Sequence, residues 1–453
     1  MSELPAGWAT FSIADIGGLA GGKTPSKANP AFWSSRDIPW ISPKDMKKLY
    51  LEDSEDRISK VALSDAGMAL HPAKSILMVT RSGILQHTFP VALARVDSTV
   101  NQDIKVIAPH SEIDTIFLLY SLRAFGQIIL QRCSKAGTTV QSIDSDKLEA
   151  FPFPLPPLAE QKRIAQKLDA LLAQVDTLKA RIDTIPALLK RFRQTVMSTA
   201  VSGKLTENWR RARYGAHDNR PFTLPSKKLG LLARFIDYRG KTPEKVGSGI
   251  PLITAKNIRK GYISREPQEF IRLDAYESWM TRGIPQLGDL VITTEAPLGN
   301  VATIDIKGRF ALAQRAICLH FYEGFSSSFA AIVLQSPMLQ EELLRRSTGT
   351  TVKGIKASVL KEIELPNPAL EEQTEIVRRV EQLFAYADQL EAKVTAAQQR
   401  IDALTQSLLA KAFRGELVPQ DPSDEPASAL LERIRAQRAA SPKPKRGRKA
   451  ATS

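Results

Sequence analysis

The chain has 453 residues, 43% of them hydrophobic, which is enough for two or three domains with hydrophobic cores of their own. Its two cysteines, Cys133 and Cys318, and its five histidines show no metal-ligand spacing, so the sequence predicts core thiols and no metal site. No apolar run approaches the length of a membrane span, and no secretion signal is visible, which predicts a cytoplasmic protein. The net charge of +15 favours a polyanionic partner such as nucleic acid.

The chain contains a tandem duplication. Residues 154–205 reappear, altered but in register, as residues 366–417, and the same offset of 212 positions links residues 38–41 to 250–253 and 137–140 to 349–352. A repeat of this length constrains the fold more strongly than any local pattern. Each copy is predicted to be a globular part followed by a helical part, and the globular parts differ strongly outside these anchors. The molecule should therefore carry two similar faces with different side chains.

In the first globular copy, short apolar and β-branched runs predict strands at residues 75–80, 89–96 and 103–108, followed by helix over about 113–132. The second copy has the same order, with strands at 289–294, 300–306 and 315–321 and helix over 326–346, broken near Pro337. We expect two mixed α/β domains, whose strand order the sequence leaves open.

The helical parts carry matching heptad seams of apolar residues. The first is Ile164, Leu168, Leu171, Val175, Leu178 and Ile182, and the second is Ile376, Val380, Leu383, Leu390 and Val394. Because a whole globular domain separates the two helices, an antiparallel pair within the chain is the favoured layout, with an intermolecular coiled coil as the alternative. Pro186 lies inside the first seam and predicts a kink or an interruption there.

These patterns give a pseudo-twofold α/β fold of two similar globular domains joined by two long antiparallel coiled-coil helices. The predicted segments are a first globular domain at 1–150, a central helical spacer at 151–205, a linker at 206–223, a second globular domain at 224–362, a distal helical spacer at 363–417 and a basic, disordered tail with a short helix at 418–453.

Sequence motifs that would indicate an enzyme are incomplete. Residues 17–24 formally match a phosphate-binding P-loop, but prolines bracket the stretch that should be helical, and the second copy lacks the first glycine. The segment Asn29-Pro30-Ala31-Phe32 only approaches the base-holding loop of adenine methyltransferases. The sequence therefore predicts a chain without a catalytic site of its own.

The segment 154–161, its echo Leu370-Glu371-Glu372-Gln373 and the closing residues 412–417 resemble the specificity subunit of type I restriction-modification enzymes, in particular its enterobacterial K-type branch. This resemblance implies two target-recognition domains that each read one half of an asymmetric, bipartite site in double-stranded DNA, with the helices setting the spacing. It also implies two modification (methyltransferase) subunits docked on the helices, and restriction (ATP-dependent translocase and nuclease) subunits. S-adenosylmethionine, ATP and Mg²⁺ would be used by those partners, and no cofactor would be bound by this chain.

Candidate DNA contacts are basic or hydroxyl residues in predicted loops, some at equivalent places in the two copies. They are Lys23, Lys44, Arg81, Thr138, Thr139, Lys241, Lys256, Arg259, Thr350 and Thr351. Two other hypotheses compete with DNA recognition: a coiled-coil adaptor without a DNA role, and a nucleotide-binding enzyme that uses the glycine-rich segment near Lys23.

Overall fold

The structure, a computed structural model, describes residues 4–135, 140–215, 224–238, 242–313 and 315–440. The strands are β1 (Ala9–Phe11), β2 (Ala20–Gly21), β3 (Ile38–Ile41), β4 (Tyr50–Leu51), β5 (Arg57–Ile58), β6 (Ile76–Val79), β7 (Val91–Ala94), β8 (Thr99–Val100), β9 (Ile104–Ile107), β10 (Phe153–Leu155), β11 (Ser226–Lys228), β12 (Ala233–Asp237), β13 (Ile250–Ile253), β14 (Phe270–Ile271), β15 (Leu290–Thr293), β16 (Val301–Thr303), β17 (Ala311–Leu312), β18 (Ala316–Phe321) and β19 (Glu364–Pro366).

The α-helices are α1 (Ile13–Ile16), α2 (Lys60–Asp65), α3 (Thr115–Ala124), α4 (Gly126–Cys133), α5 (Ser145–Glu149), α6 (Leu158–Val201), α7 (Glu207–Tyr214), α8 (Leu229–Leu232), α9 (Tyr276–Trp279), α10 (Ser327–Gln335), α11 (Pro337–Arg346), α12 (Ala357–Lys361), α13 (Leu370–Ala412) and α14 (Ala427–Ala440). The chain forms two compact units, one of residues 1–180 with 398–453 and the other of residues 181–397. The strands expected from the sequence are present as β6, β7, β9, β15, β16 and β18.

The two units contain the same sheets. In the first unit the strand order is β2-β9-β6-β7-β4, beside a three-stranded sheet β5-β3-β8 and the antiparallel pair β1-β10. The second unit repeats this with β12-β18-β15-β16, β14-β13-β17 and β11-β19. In both three-stranded sheets the central strand pairs antiparallel on one side and parallel on the other. The duplication read from the sequence is therefore a duplication of topology, with β4 as an addition in the first copy.

Local capping explains where the domain helices begin. The Asp114 side chain accepts from the Phe117 amide at 2.8 Å to start α3, and Ser326 accepts from the Phe329 amide at 3.3 Å to start α10. Pro337 occupies the first turn of α11, which confirms the predicted break, since proline fits a first helical turn and not an interior one. The helix expected over 113–132 is two helices, because the chain turns at Phe125, where Gly126 lies close against Phe89.

The long helices α6 and α13 are paired antiparallel in both units. In the first unit Lys179 of α6 contacts Asp402 of α13 at 2.7 Å. Earlier in α6 and later in α13, Leu168 and Leu409 share one core, so the two helices run in opposite directions. In the second unit Arg193 contacts Asp388 at 2.5 Å, and Val196 shares a core with Val380. The predicted intramolecular antiparallel pair is therefore present, and the intermolecular alternative is not needed to cover these seams.

The seam deviates from the predicted heptads at particular positions. Leu178 is 49% exposed and lies outside the seam, and Leu172 is buried where the heptad placed Leu171, which is only half-buried. An α-helix has 3.6 residues per turn, so a strict seven-residue pattern drifts by about 20° per heptad and its buried face moves to neighbouring positions. The other predicted seam residues are buried or half-buried: Ile164, Leu168, Val175, Ile182, Ile376, Val380, Leu383, Leu390 and Val394.

Of the kink or interruption predicted at Pro186, the interruption is wrong, because α6 is one helix of 44 residues with this proline inside it. Proline removes one backbone donor from the helix. Here that loss falls on a segment whose neighbours Ile182 and Leu189 are packed, so tertiary burial outweighs the local preference.

The C-terminal helix α14 packs onto the first unit. Leu430, Leu431 and Ile434 of this helix are buried in the core of that unit, and Arg433 contacts Glu112 at 2.6 Å. The helix expected in the tail is thus packed, while residues 441–453 lie outside the described part of the chain. Both cysteines are buried thiols, and burial raises the pKa of each, as expected for core residues.

Candidate nucleic-acid interface

Most of the predicted contact residues gather at one edge of each domain, where a parallel strand pair ends. Strand β3 runs parallel to β8, and β13 runs parallel to β17, so the carboxyl ends of each pair meet at the same edge. The Asn101 amide donates to Ile41 O at 2.9 Å, and in the second unit the Ala313 amide donates to Ile253 O at 3.0 Å. We call this edge, built equivalently in both units, the recognition edge.

The first component of the recognition edge is a basic loop, residues 42–50 in one copy and 254–262 in the other. In both copies one turn fixes its start: Asp45 Oδ2 accepts from the amide and hydroxyl of Ser42 at 2.9 and 3.0 Å, and Asn257 Oδ1 accepts from those of Thr254 at 3.0 Å each. This turn presents Lys44, Lys47 and Lys48 to solvent in the first unit, and Lys256, Arg259 and Lys260 in the second.

The second component begins with a strand end, residues 80–81 after β6 or 294–295 after β15. This strand end contacts a junction, the residue directly before β9 or β18 (Asp103 or Arg315), and a threonine loop. In the first unit Thr80 donates its amide to Asp103 O at 2.8 Å and accepts from the Ile143 amide at 2.8 Å. In the second unit Thr294 repeats both contacts, to Arg315 O at 2.8 Å and from Ile355 at 2.9 Å. The described end of each threonine loop, Ser142 in the loop 135–142 and Gly354 in the loop 347–354, lies beside Arg81 in one copy and Glu295 in the other, as single backbone bridges show.

Lys23 lies at the same edge of the first unit. Its amide donates to Val100 O at 3.1 Å, and the neighbouring Thr24 hydroxyl donates to Gln102 Oε1 at 2.7 Å. No helix begins at this Lys-Thr pair, so the feature that a P-loop needs is missing. The Lys23 ammonium donates to Ala66 O at 3.1 Å.

Gly22→Ala is expected to lower the free energy of unfolding by about 1–3 kcal/mol, the usual cost of overpacking. A Cβ at Gly22 would lie 1.8 Å from Val100 O, so this turn or β8 would have to move. Thermal unfolding of the purified protein measures the effect. The control is Gly18→Ala, whose Cβ meets nothing within 4 Å. Equal melting temperatures for the two variants would contradict the close approach.

The predicted cations differ in how strongly they are already paired. Lys44 contacts Asp56 at 2.8 Å and Glu55 at 3.1 Å, and the hydrogen bond to Asp56 raises the pKa of Lys44. Lys256 is 3.8 Å from Glu269 and remains 69% exposed. For the side chains of Arg81 and Arg259 the described residues supply no ion pair. Among the predicted cations that the structure describes, these two arginines and Lys256 are therefore the most available.

Thr350 and Thr351 are exposed in the second threonine loop, as expected. Thr138, Thr139 and Lys241 lie outside the described residues. The sequence reasoning missed Lys47, Lys48, Lys260 and the 60% exposed Tyr262. A signal was present in the sequence. Residues 41–50 and 253–262 are related by the same offset as the helices, and each segment begins with Ile, then Ser or Thr, then any residue, then Lys, and then Asp or Asn.

The first basic loop is tied to the long helix. The hydroxyls of Tyr50 and Tyr120 both donate to Asp169 Oδ1 on α6, at 2.6 and 2.5 Å, and burial with this carboxylate contact raises the pKa of Tyr50 to about 12. A groove of about 1330 Å³ lies along the same contact, lined on one side by the basic loop and on the other by α6. In the second copy the equivalent of Tyr50 is the exposed Tyr262, so this brace belongs to the first unit alone.

The glutamines that mark the starts of the long helices join each helix to its globular domain. Gln161 Oε1 accepts from the Asp114 amide at 3.0 Å, and Gln373 Oε1 accepts from the Ser326 amide at 2.8 Å, so each glutamine meets the N-cap of a domain helix. Their side-chain amides donate to Pro156 O and Pro368 O at 3.0 and 2.9 Å. Both glutamines are fully buried, which makes the repeated Glu-Gln pair a structural joint.

In the described part of the chain, no three histidine, cysteine, aspartate or glutamate residues are grouped as a metal site would require. No described helix combines the length and apolarity needed to cross a membrane.

A family model for the type I restriction modification DNA specificity domain matches residues 5–187 and 283–397. The chain belongs to this family. It is 38% identical over 334 residues to the type I restriction enzyme EcoKI specificity subunit of Escherichia coli (strain K12), covering 69% of this chain and 70% of the relative, which agrees with the expected K-type branch. It is 36% identical over 344 residues to the EcoBI specificity subunit of Escherichia coli, covering 72% of each.

Two solved structures share the fold. One, from work on complex assembly and conformational transition of the type I restriction-modification system, has a TM-score of 0.67 at 17% identity, covering 92% of this chain and all of its own. The HsdS subunit of Thermoanaerobacter tengcongensis has a TM-score of 0.57 at 18% identity, covering 91% of this chain and 98% of its own.

Proposed function

We propose that this chain is the DNA-specificity subunit of a type I restriction-modification complex. Each recognition edge would read one half of an asymmetric bipartite site, and the paired helices would set the spacing between the halves. The observation that carries the proposal is the equivalent construction of the two edges, with the same backbone contacts but different exposed side chains. Duplicated scaffolds with unlike surfaces suit unlike half-sites, because base contacts specify sequence while phosphate contacts fix position.

The basic loops supply the electrostatic part of this function. Three exposed cations occupy equivalent positions in each loop, and lysine and arginine gain affinity for DNA by releasing counterions from phosphates. Family membership and the net charge of +15 support the same assignment. A coiled-coil adaptor without a DNA role would not need a basic loop in each domain.

We assign methylation and cleavage to partner subunits. The chain itself would act without catalysis in the cytoplasm, with two modification subunits docked on helical surface outside the seam and restriction subunits added to them. S-adenosylmethionine, ATP and Mg²⁺ would enter with those partners. The groove beside Asp169 offers mixed apolar and charged surface of the kind used in protein interfaces.

The complex of this chain with its modification subunit is expected to bind one bipartite sequence tightly, and to methylate it in cells. With six or more phosphate contacts, affinity should fall about 10³-fold or more between 50 and 200 mM salt. Methylome sequencing with and without the gene gives the motif, and titration of a labelled duplex gives the salt dependence. Equal affinity for random DNA would refute the proposal and favour the adaptor. Calorimetry showing ATP binding that Lys23→Ala abolishes would favour the nucleotide-binding alternative.

A further inference from the structure

The two recognition edges exchange charges at one pair of equivalent positions. In the first unit the strand end carries Arg81 and the junction carries Asp103; in the second unit the strand end carries Glu295 and the junction carries Arg315. The backbone contacts that define the equivalence are the same, since Thr80 donates to Asp103 O and Thr294 donates to Arg315 O, both at 2.8 Å. Each edge thus holds one arginine and one carboxylate, with their places interchanged.

This exchange contrasts with the basic loops, where the sign of charge is retained. Lys44 matches Lys256, Lys47 matches Arg259 and Lys48 matches Lys260. Phosphates are the same in every half-site, so contacts to them should keep their charge between the two copies. Base edges differ between half-sites, so contacts to them should change. The strand end and junction therefore have the property expected of a base-reading position.

The second unit shows how such an arginine is oriented. Arg315 Nε lies 3.1 Å from Glu295 Oε1, with 49% and 44% of the two side chains exposed. A guanidinium has five N–H donors, and a single carboxylate facing it accepts two of them at most in a bidentate contact, so donors remain for a ligand. Exposed ion pairs contribute little to stability, which leaves orientation as the main consequence of this contact.

The backbone at this place is held in an unfavourable conformation. Arg315 has φ +72°, and Ala296, next to Glu295, has φ +45°. In the described ranges, the only other non-glycine residues with positive φ are Arg36 and Lys74. Such conformations persist where surrounding contacts impose them, and they are concentrated at functional sites. Here the contact of the Thr294 amide with Arg315 O and the bridge between Glu295 and Gly354 impose them.

We propose that Arg315, oriented by Glu295, reads a guanine in the half-site of the second domain, and that Arg81 reads a base at the corresponding position of the first. The arginine fork would donate to guanine O6 and N7 in the major groove. Lys256 and Arg259 on one side of Arg315 and the threonine loop on the other would hold the phosphates. This inference rests on the proposed function and adds to it the residue that specifies one base pair.

The test is the methylation motif of the full complex with its modification subunit, mapped genome-wide for the wild type and for Arg315→Ala, Arg315→Lys and Arg81→Ala. Arg315→Ala should relax one G·C position of one half-site by about 5- to 150-fold, the discrimination that a bidentate contact supplies. The other half-site should keep its strictness. Arg81→Ala should relax one position of that other half-site only. Lys260→Ala is the matched control, and it should weaken binding to all sequences and lower the salt slope by about one, with the motif unchanged.

An Arg315→Ala motif as strict as that of the wild type would overturn this inference and leave the proposed function standing. Relaxation spread over both half-sites would also overturn it. If Arg315→Ala does not assemble, Arg315→Lys keeps the charge but not the fork, so relaxation at one G·C position supports the inference and an unchanged motif refutes it. A wild-type complex that methylates no bipartite motif would instead remove the proposed function.

Discussion

Glu372→Gln is expected to destabilise the protein by about 3 kcal/mol, because it breaks a buried ion pair and leaves one charge without its partner. Glu372 is 5% exposed, and it accepts from the Thr206 hydroxyl at 2.6 Å and from Arg210 Nε at 3.1 Å. Chemical unfolding followed by circular dichroism measures the loss. Glu371→Gln is the control, since its pair with Arg213 is more than half exposed and should contribute no more than about 0.5 kcal/mol.

The equivalent substitution in the first copy, Glu160→Gln, is expected to have the opposite sign. Glu160 is 1% exposed, its Oε2 accepts from Trp8 Nε1 at 3.0 Å, and its Oε1 has no hydrogen-bond partner among the described residues. The nearby Arg163 pairs with Asp424 at 2.7 Å instead. A glutamine would still accept from Trp8 while removing the buried charge, so a gain of about 1 kcal/mol at neutral pH is expected.

The pH dependence follows from the pKa of Glu160, which burial raises above its ordinary value of 4.5. The folded protein therefore favours the protonated carboxyl of Glu160. The contribution of this protonated group to stability is fully present below the pKa that the group has in the unfolded chain, and it is lost as the pH rises through the higher pKa in the folded protein. The advantage of Glu160→Gln should therefore be largest at pH 7 to 8 and disappear at about pH 4 and below. If Glu160→Gln and Glu372→Gln destabilise the protein equally at pH 7, the proposed electrostatic difference between these two glutamates is absent.

Insertion of four residues after Ala397 is expected to reduce methylation of the original motif by about 100-fold or more, or to replace it with a motif of different spacing. Four helical residues add about 6 Å, and misplacement of about 1 Å can already reduce a rate 100-fold. Helix α13 runs unbroken past this position, where the division between the two units falls. The measurement is methylome sequencing of cells that express the variant with its modification subunit.

The same four residues inserted after Gly308 provide the control for this experiment. Gly308 lies in an exposed turn with φ +101°, and a side chain added there would meet no atom within 4 Å. The insertion should therefore be tolerated, and the motif should keep its spacing. Melting temperatures of both variants close to that of the wild type would show that both still fold. If the Ala397 insertion then left motif and spacing unchanged, the helices would not set the distance between half-sites.

Much of the fold was predictable because it follows from patterns along the sequence. The register between residues 154–205 and 366–417 revealed the duplication, and alternation or heptad spacing gave the central strands and both long helices. Within those helices the prediction was wrong where geometry departs from a strict repeat, at the exposed Leu178. The basic loops were also predictable, since Lys44, Lys256 and Arg259 fall in them and their repeated pattern extends to Lys260.

The sequence by itself determined that this protein has two copies of one α/β domain, two matching helices and a basic surface, since periodicity, repeat offset and charge can all be read from the order of residues along the chain. Only the tertiary structure decided that β3 and β8 end beside each other, that Arg81 and Arg315 occupy exchanged places at equivalent edges of the two units, and that no described cation pairs with Glu160 as Arg210 does with Glu372. Those features involve residues that are far apart in the chain, and only strand order, packing and burial bring these residues together.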